Sequence, residues 1–255
     1  MSGNLLTDKV IAVTGAASGI GRATAILAAD EGAAGIVVTD RDRDGLEQTV
    51  AEIESRGVAV AAHVAPIDQG DAPDRLVALA VEQFGRLDAA VNNAGIRGRL
   101  ATIDEVDDEL WDEVLNVNLR SVLRCARAEL RQMYAQGNGA IVNVASAVLF
   151  GFQRQLAPYA ASKAGVVAMT KVAAVEAGPR GVRVNAVCPG RTGTPLFNAH
   201  ARGDGPPLEK LVAAIPLGRT AEPVELANAM IWLCSDRSSF VHGEVLVVDG
   251  GRTVS

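Results

Sequence analysis

The stretch Lys9-Val10-Ile11-Ala12-Val13-Thr14-Gly15-Ala16-Ala17-Ser18-Gly19-Ile20-Gly21 decides how this chain folds. Its first six residues form a short, apolar, β-branched run ending at a glycine, which predicts a buried strand. After it, Ile20, Ala23, Thr24, Leu27 and Ala28 recur at helical spacing, predicting a helix over 19–30. Between the two, glycines let the backbone turn sharply and let a phosphate approach the helix N-terminus, whose free N–H groups attract anions. The spacing Gly-x3-Gly-x-Gly is not G-x-G-x-x-G, and no Gly-Lys-Ser/Thr follows, so this is not a P-loop. Asp40 ends the next apolar run, 19 residues after Gly21, where a carboxylate can accept from both hydroxyls of a ribose. A 2′-phosphate would meet like charge there, so Asp40 favours NAD over NADP, while the adjacent Arg41 pulls the other way.

Working outward, the alternation continues to the C-terminus. Further strands are predicted at 35–39, 58–64, 87–91, 140–144, 182–187 and 245–248. Helices are predicted at 43–56, 71–84, about 109–135, 158–177 and 223–234. Strands alternating with helices imply βαβ units with right-handed crossovers and a parallel sheet covered on both faces. The expectation is one α/β domain over 1–255, with no internal repeat, linker or low-complexity tract. The irregular region is 192–208, rich in Gly and Pro and containing His200. A loop of that length inside an α/β domain suggests a substrate lid, extending to about residue 215.

Composition narrows the function. Hydrophobic residues at 49% and charged residues at 21% describe a globular chain, and a net charge of −6 supplies no footprint for nucleic acid or an anionic membrane. Cys125, Cys188 and Cys234 are odd in number and far apart, which fits a reducing, cytoplasmic compartment rather than a disulfide framework. The first ten residues do not read as a secretory signal, and no run is long and apolar enough to span a membrane. His63, His200 and His242 lack metal-site spacing, so no metal is expected.

A second stretch carries chemistry. In Tyr159-Ala160-Ala161-Ser162-Lys163, residues four apart share a helix face, so a phenol and an ammonium become neighbours. A nearby cation favours the phenolate, which is how a tyrosine becomes an acid or base near neutral pH. Taken with the glycine turn, Asn92-Asn93-Ala94-Gly95, Ser146, Pro189-Gly190 and Asp249-Gly250-Gly251, the chain resembles the classical short-chain dehydrogenase/reductase family from about residue 7 to 252.

The resemblance implies a Rossmann-type, doubly wound, seven-stranded parallel sheet in the order 3-2-1-4-5-6-7. It implies a catalytic set of Asn118, Ser146, Tyr159 and Lys163. Tyr159 would exchange a proton with the substrate oxygen, Lys163 would lower its pKa and bind the nicotinamide ribose, and Ser146 would hold the oxygen. Asn118 would orient a water serving Lys163. Cofactor residues would be Gly15, Ser18, Gly19, Ile20 and Gly21 at the turn, then Asp40, Asp68 and Gln69 around the adenosine. Asn93 and Gly95 would follow the fourth strand, and Pro189, Gly190, Thr192 and Thr194 the sixth, joined by Tyr159 and Lys163. Asn92 is expected to serve the backbone turn more than a ligand.

The implied activity is interconversion of a secondary alcohol and its ketone with NAD. The pocket is expected from Ile96 to Arg99, Ala147, Leu149, Gly151 and the 194–215 segment, and Leu149, Phe150, Phe152, Leu196 and Phe197 make it apolar. That leans toward a hydrophobic or cyclic alcohol. Arg97, Arg99 and Arg154 are candidates for a carboxylate, though solvated arginines are commoner. A sugar dehydrogenase and an acyl-carrier-protein ketoreductase stay open, and a non-enzymatic dinucleotide sensor is disfavoured by the intact tetrad. The family resemblance also implies a homotetramer.

Overall fold

The computed structural model describes residues 4–197 and 208–254. Seven parallel strands form one sheet in the order β3-β2-β1-β4-β5-β6-β7. They are β1 (Val10–Thr14), β2 (Gly35–Asp40), β3 (Val60–Val64), β4 (Ala89–Asn92), β5 (Gly139–Val144), β6 (Val182–Pro189) and β7 (Val245–Val248). Helices α1 (Gly19–Asp30), α2 (Arg43–Glu54), α3 (Ala72–Phe84), α4 (Asp108–Leu115), α5 (Ser121–Gln136), α6 (Ala157–Ala177), α7 (Leu208–Ala213) and α8 (Pro223–Cys234) accompany them.

Alternation along each strand divides the core in two. Ile11 and Val13 of β1 join Ile36, Val38, Val91 and Val142 against α1, α2 and α8, through Ala25, Leu46, Met230 and Ile231. Val10 and Ala12 point the other way, joining Val37, Ala90 and Ile141 against α3, α5 and α6 through Leu76, Met133 and Ala174. Both faces are therefore dry, which is why these strands read as continuous apolar runs. The sequence expectation of a doubly wound α/β sheet in this order is met.

Two boundaries differ in ways that matter. The third strand begins at Val60 rather than 58, after a glycine turn at Gly57 with φ +75°. The helix expected over about 109–135 is interrupted: a π-helical segment, Asn116–Arg120, separates α4 from α5. Such insertions are invisible to hydrophobic periodicity and recur at functional sites. Here the segment presents Asn118, fully buried, to a neighbouring loop. Asn118 Oδ1 accepts from Ile96 N at 2.8 Å, while Nδ2 donates to Ile96 O at 2.8 Å and Ser162 Oγ at 3.1 Å.

Asn92 also differs from expectation. Its amide serves a buried polar chain rather than the turn, donating to Asn143 Oδ1 and to Glu129 Oε2, each at 3.0 Å. Asn143 in turn donates to Thr170 Oγ1 at 2.9 Å, tying β4, β5 and α6 together. His242 is a packing residue, as expected from its spacing: its Nδ1 accepts from Val184 N, and its Nε2 lies 2.7 Å from Ala174 O. His200 and the Gly/Pro-rich 202–207 lie outside the described residues.

Glu129 is fully buried on α5, and burial pushes its carboxyl up to about 7 despite the hydrogen bond from Asn92. A folded pKa above the unfolded value means the fold favours the protonated form. Its contribution is therefore complete below about pH 4.3 and is lost as pH rises through about 7. Glu129→Gln should remove this dependence, gaining on the order of 3 kcal/mol relative to the native protein between pH 5 and 8. Urea unfolding of both proteins at the two pH values measures this, and parallel pH profiles would refute it.

Candidate active site

The sheet's crossovers reverse direction between β1 and β4, where doubly wound folds open a crevice. The crevice is held by a compact set of hydrogen bonds. Thr14 Oγ1 accepts from Asn93 N and Ala94 N, both at 3.0 Å, and Asn93 Nδ2 donates to Thr14 O at 3.0 Å and Gly15 O at 3.2 Å. Gly15 adopts φ +68°, and a Cβ there would lie 2.8 Å from Asn93 Nδ2. A Cβ on Gly21 would overlap Gly15 O and come within 2.5 Å of the same amide. The turn thus requires its glycines for close approach as well as for its dihedrals.

One cavity, of about 350 Å³, runs along this turn past the end of β2 to the β3–α3 connection. Gly15, Ser18, Gly19, Ile20, Asp40, Asp68, Asn93, Gly95 and Thr194, all candidates from the sequence, line it. Gln69 stands outside its described lining and is exposed at the surface, and Gly21 is buried beneath the turn rather than facing the cavity. The donor set suits a dinucleotide. First-turn N–H groups of α1 have no intrahelical acceptors, Ser18 does not cap them, and no acidic residue stands in that turn to compete with a phosphate. The Asp40 carboxylate is fixed at the end of β2, its Oδ2 accepting from Ala17 N and its Oδ1 from Asp42 N, both at 3.0 Å.

A second cavity, of about 190 Å³, adjoins the first and contains Ser146, Tyr159 and Lys163. Ser146 ends the β5 connection and starts a 3-10 turn (Ala147–Phe150), its Oγ accepting from Val148 N at 3.2 Å. Tyr159 and Lys163 come from the first turns of α6. Lys163 is almost fully buried, with Nζ donating to Val144 O at 2.8 Å and lying 5.9 Å from the Tyr159 ring centre. Pro189, Gly190, Thr192 and Thr194 line the same cavity. A Cβ on Gly190 would lie 2.5 Å from Asp249 Cα, so this glycine lets the C-terminal segment approach and bring Arg252 to the cavity wall.

Asn118 lies outside both described linings, its amide engaged with Ile96 and Ser162. It approaches Lys163 nonetheless. A Cβ on Gly95 would meet Asn118 Oδ1 at 3.1 Å and Lys163 Nζ at 3.4 Å, so both polar tips converge on the space that this glycine leaves.

The electrostatics depart from the spacing argument. Burial pushes the Tyr159 phenol up, opposed by a hydrogen bond with Ser146 and by the charge of Arg97. Burial brings Lys163 down to about 8. The cation that opposes the rise of Tyr159 is thus Arg97, rather than the Lys163 expected from the four-residue spacing. Desolvation outweighs charge at both residues.

The pocket wall also needs correction. Phe150 and Phe152 are exposed, and Leu149 is outside the described lining. Val148, Gln153, Leu156, Arg191 and Arg252 line the cavity and were not anticipated, whereas Arg97, Ala147, Leu196 and Phe197 were. Leu156 is brought in by a bridge to Ala101, and Arg252 by the C-terminal fold-back. Neither has a local sequence signal.

Known proteins extend this picture. A family model described as enoyl-(acyl carrier protein) reductase matches residues 15–253. The A-factor type gamma-butyrolactone 1′-reductase (1S-forming) of Streptomyces virginiae is 42% identical over 252 residues, covering 98% of this chain and 97% of the relative. Cyclohexanol dehydrogenase of an Acinetobacter species is 39% identical over 251 residues, with 98% and 97% covered. The crystal structure of levodione reductase superposes with a TM-score of 0.94 at 35% identity, covering 98% of this chain and 99% of that one. With the glycine turn, the crevice and the Ser146–Tyr159–Lys163 cavity in one sheet, the chain belongs to the short-chain dehydrogenase/reductase family, oxidoreductases of alcohols and ketones that use a nicotinamide dinucleotide.

Proposed function

We propose that this protein is an NAD-dependent dehydrogenase interconverting a secondary alcohol, hydrophobic or cyclic, with its ketone. The observation that carries this reading is the shared cavity of Ser146, Tyr159 and Lys163 next to the strand-end crevice. Its small volume and the apolar walls from Ala147, Val148, Leu156 and Leu196 favour a compact hydrocarbon substrate over a sugar. Similarity to cyclohexanol dehydrogenase points the same way. The family model's description keeps an acyl-carrier-protein substrate as the second reading.

The dinucleotide would be held by the 15–21 turn, by Asp40 at the adenosine ribose, by Asp68 and Asn93 beside it, and by Pro189, Gly190, Thr192 and Thr194 at the nicotinamide end. When bound, nicotinamide supplies or accepts the hydride. Tyr159 transfers the proton at the substrate oxygen, and Ser146 donates to that oxygen as charge develops on it. Lys163 serves the ribose and the proton path, and Asn118 positions the Lys163 surroundings through Ile96 and Gly95. Oxidation needs the phenolate and reduction the phenol, so the elevated phenol predicts alcohol oxidation that climbs from pH 7 to 10 while ketone reduction stays level over that range. An oxidation profile that is flat from pH 7 to 10 would count against Tyr159 as the acid–base group.

The segment from 192 to about 215 is the substrate loop in this reading, supported by Thr192, Leu196 and Phe197 on the cavity wall. A homotetramer formed through α5, α6 and β7 is also proposed. Three reduced, buried cysteines support a cytoplasmic setting.

Tyr159→Phe should lower kcat for alcohol oxidation by roughly 10²–10⁴, with the NAD Kd within about threefold of native. Absorbance at 340 nm and calorimetry measure the two quantities, and near-normal turnover would overturn the assignment. Asp40→Ala should cut the NAD/NADP ratio of kcat/KM by about tenfold or more, because the carboxylate fixed by Ala17 N and Asp42 N is removed. An unchanged ratio would show that discrimination lies elsewhere.

A further inference from the structure

The charge pattern of the cavity shared by Ser146 and Tyr159 points to the chemistry of the substrate. Its described lining contains Arg97, Lys163, Arg191 and Arg252 but no Asp or Glu, in a chain of net charge −6. Lys163 is engaged with Val144 O, and Arg191 donates from Nη1 to Leu211 O. Arg252 Nη2 lies 3.5 Å from Gly151 O. Arg97 is different: its Nη1 is buried and has no hydrogen-bond partner among the described residues. Two residues on, Arg99 forms an ion pair with Asp107 at 2.6 Å, so that carboxylate is already engaged.

A buried cationic N–H without an acceptor is costly, and each such group in a folded protein calls for an explanation. A ligand that brings the acceptor is one. The phosphates of the dinucleotide are poorly placed to do so, because the described lining of the turn cavity does not include Arg97. Ile96 packs in one apolar cluster with Tyr159, Leu110 and Val114, which seats the 95–99 loop against the catalytic tyrosine.

We propose that Arg97 is a specificity-determining residue that binds a carboxylate on the substrate, so that the preferred substrate is a carboxylated secondary alcohol or the corresponding keto acid. The guanidinium fork matches a carboxylate in two parallel hydrogen bonds, which a neutral alcohol cannot supply. The apolar walls then hold the hydrocarbon between the carboxylate and the carbinol carbon. This assignment rests on the alcohol–ketone reading above.

The test compares the full-length native protein with Arg97→Gln and Arg97→Lys. Kinetics use cyclohexanol and 4-hydroxycyclohexanecarboxylate, each with NAD and with NADP. Calorimetry on the NAD-loaded protein uses cyclohexanecarboxylate and cyclohexanecarboxamide, which carry no reacting hydroxyl. The native protein should favour the carboxylated alcohol at least tenfold in kcat/KM. Arg97→Gln should erase at least tenfold of that preference, chiefly through KM, and Arg97→Lys should retain more of it. The Kd of cyclohexanecarboxylate should rise at least tenfold in Arg97→Gln, and clearly more than that of the carboxamide. Equal losses for both alcohols, or an unmoved Kd for cyclohexanecarboxylate, would overturn the proposal. Should neither alcohol turn over with either cofactor, the alcohol–ketone reading falls on its own, and the calorimetric comparison alone decides the role of Arg97.

Discussion

At the ends of β1 and β4 the Thr14 hydroxyl accepts two backbone N–H groups from the neighbouring strand's loop, and Asn93 returns two hydrogen bonds to Thr14 O and Gly15 O. Everything that faces the crevice is referred to this junction. On one side it sets the glycine turn, packed so closely that a Cβ on Gly15 or Gly21 would run into the Asn93 amide. On the other it starts the 93–99 loop, which carries Ile96 to Asn118 and Arg97 to the cavity wall. A parallel sheet buried on both faces leaves only its strand ends for polar chemistry, so the fixing of these ends is also the fixing of the site.

Burial then sets the character of the charged groups. Glu129 is driven toward its protonated form, Lys163 toward its uncharged form, and Tyr159 away from phenolate. Each is kept inside by hydrogen bonds: Asn92 to Glu129, Lys163 to Val144 O, and Ser146 with Tyr159. For Lys163 and Tyr159 the common push brings proton release from the ammonium closer to neutral pH and makes the phenol a more reluctant acid. The hydroxyl of Ser146 and the charge of Arg97 act against that reluctance. The same desolvation that lowers stability at Glu129 therefore shapes acid–base behaviour at the site.

Much of the site was legible because the family motifs sit at strand ends, and strand ends are readable from apolar runs. Gly15, Asp40, Asn93, Ser146 and Pro189 each follow or close a run whose position the pattern supplies, and all line one of the two cavities. Gln69 stands outside both linings while Asp68 lines the turn cavity, because adjacency in sequence says nothing about which of two neighbours turns inward. Phe150 and Phe152 were placed in the pocket on hydrophobicity alone, and they face solvent. Asn118 was expected at the site from the family resemblance, and the π-helical segment that directs its amide into the Ile96 backbone leaves no mark on the hydrophobic periodicity.

Local pattern by itself determined the strands, most helix positions, the glycine turn and the Tyr159–Lys163 pairing, since these depend on periods of two and 3.6 residues and on turn chemistry. The tertiary structure decided which partners meet across long separations. Gly190 admits the C-terminal segment so that Arg252 reaches the cavity, and the loop after β4 sets Arg97 beside Tyr159. It also decided the balance of charge at the phenol, because desolvation depends on everything packed around a group, and sequence spacing records only its neighbours on one helix.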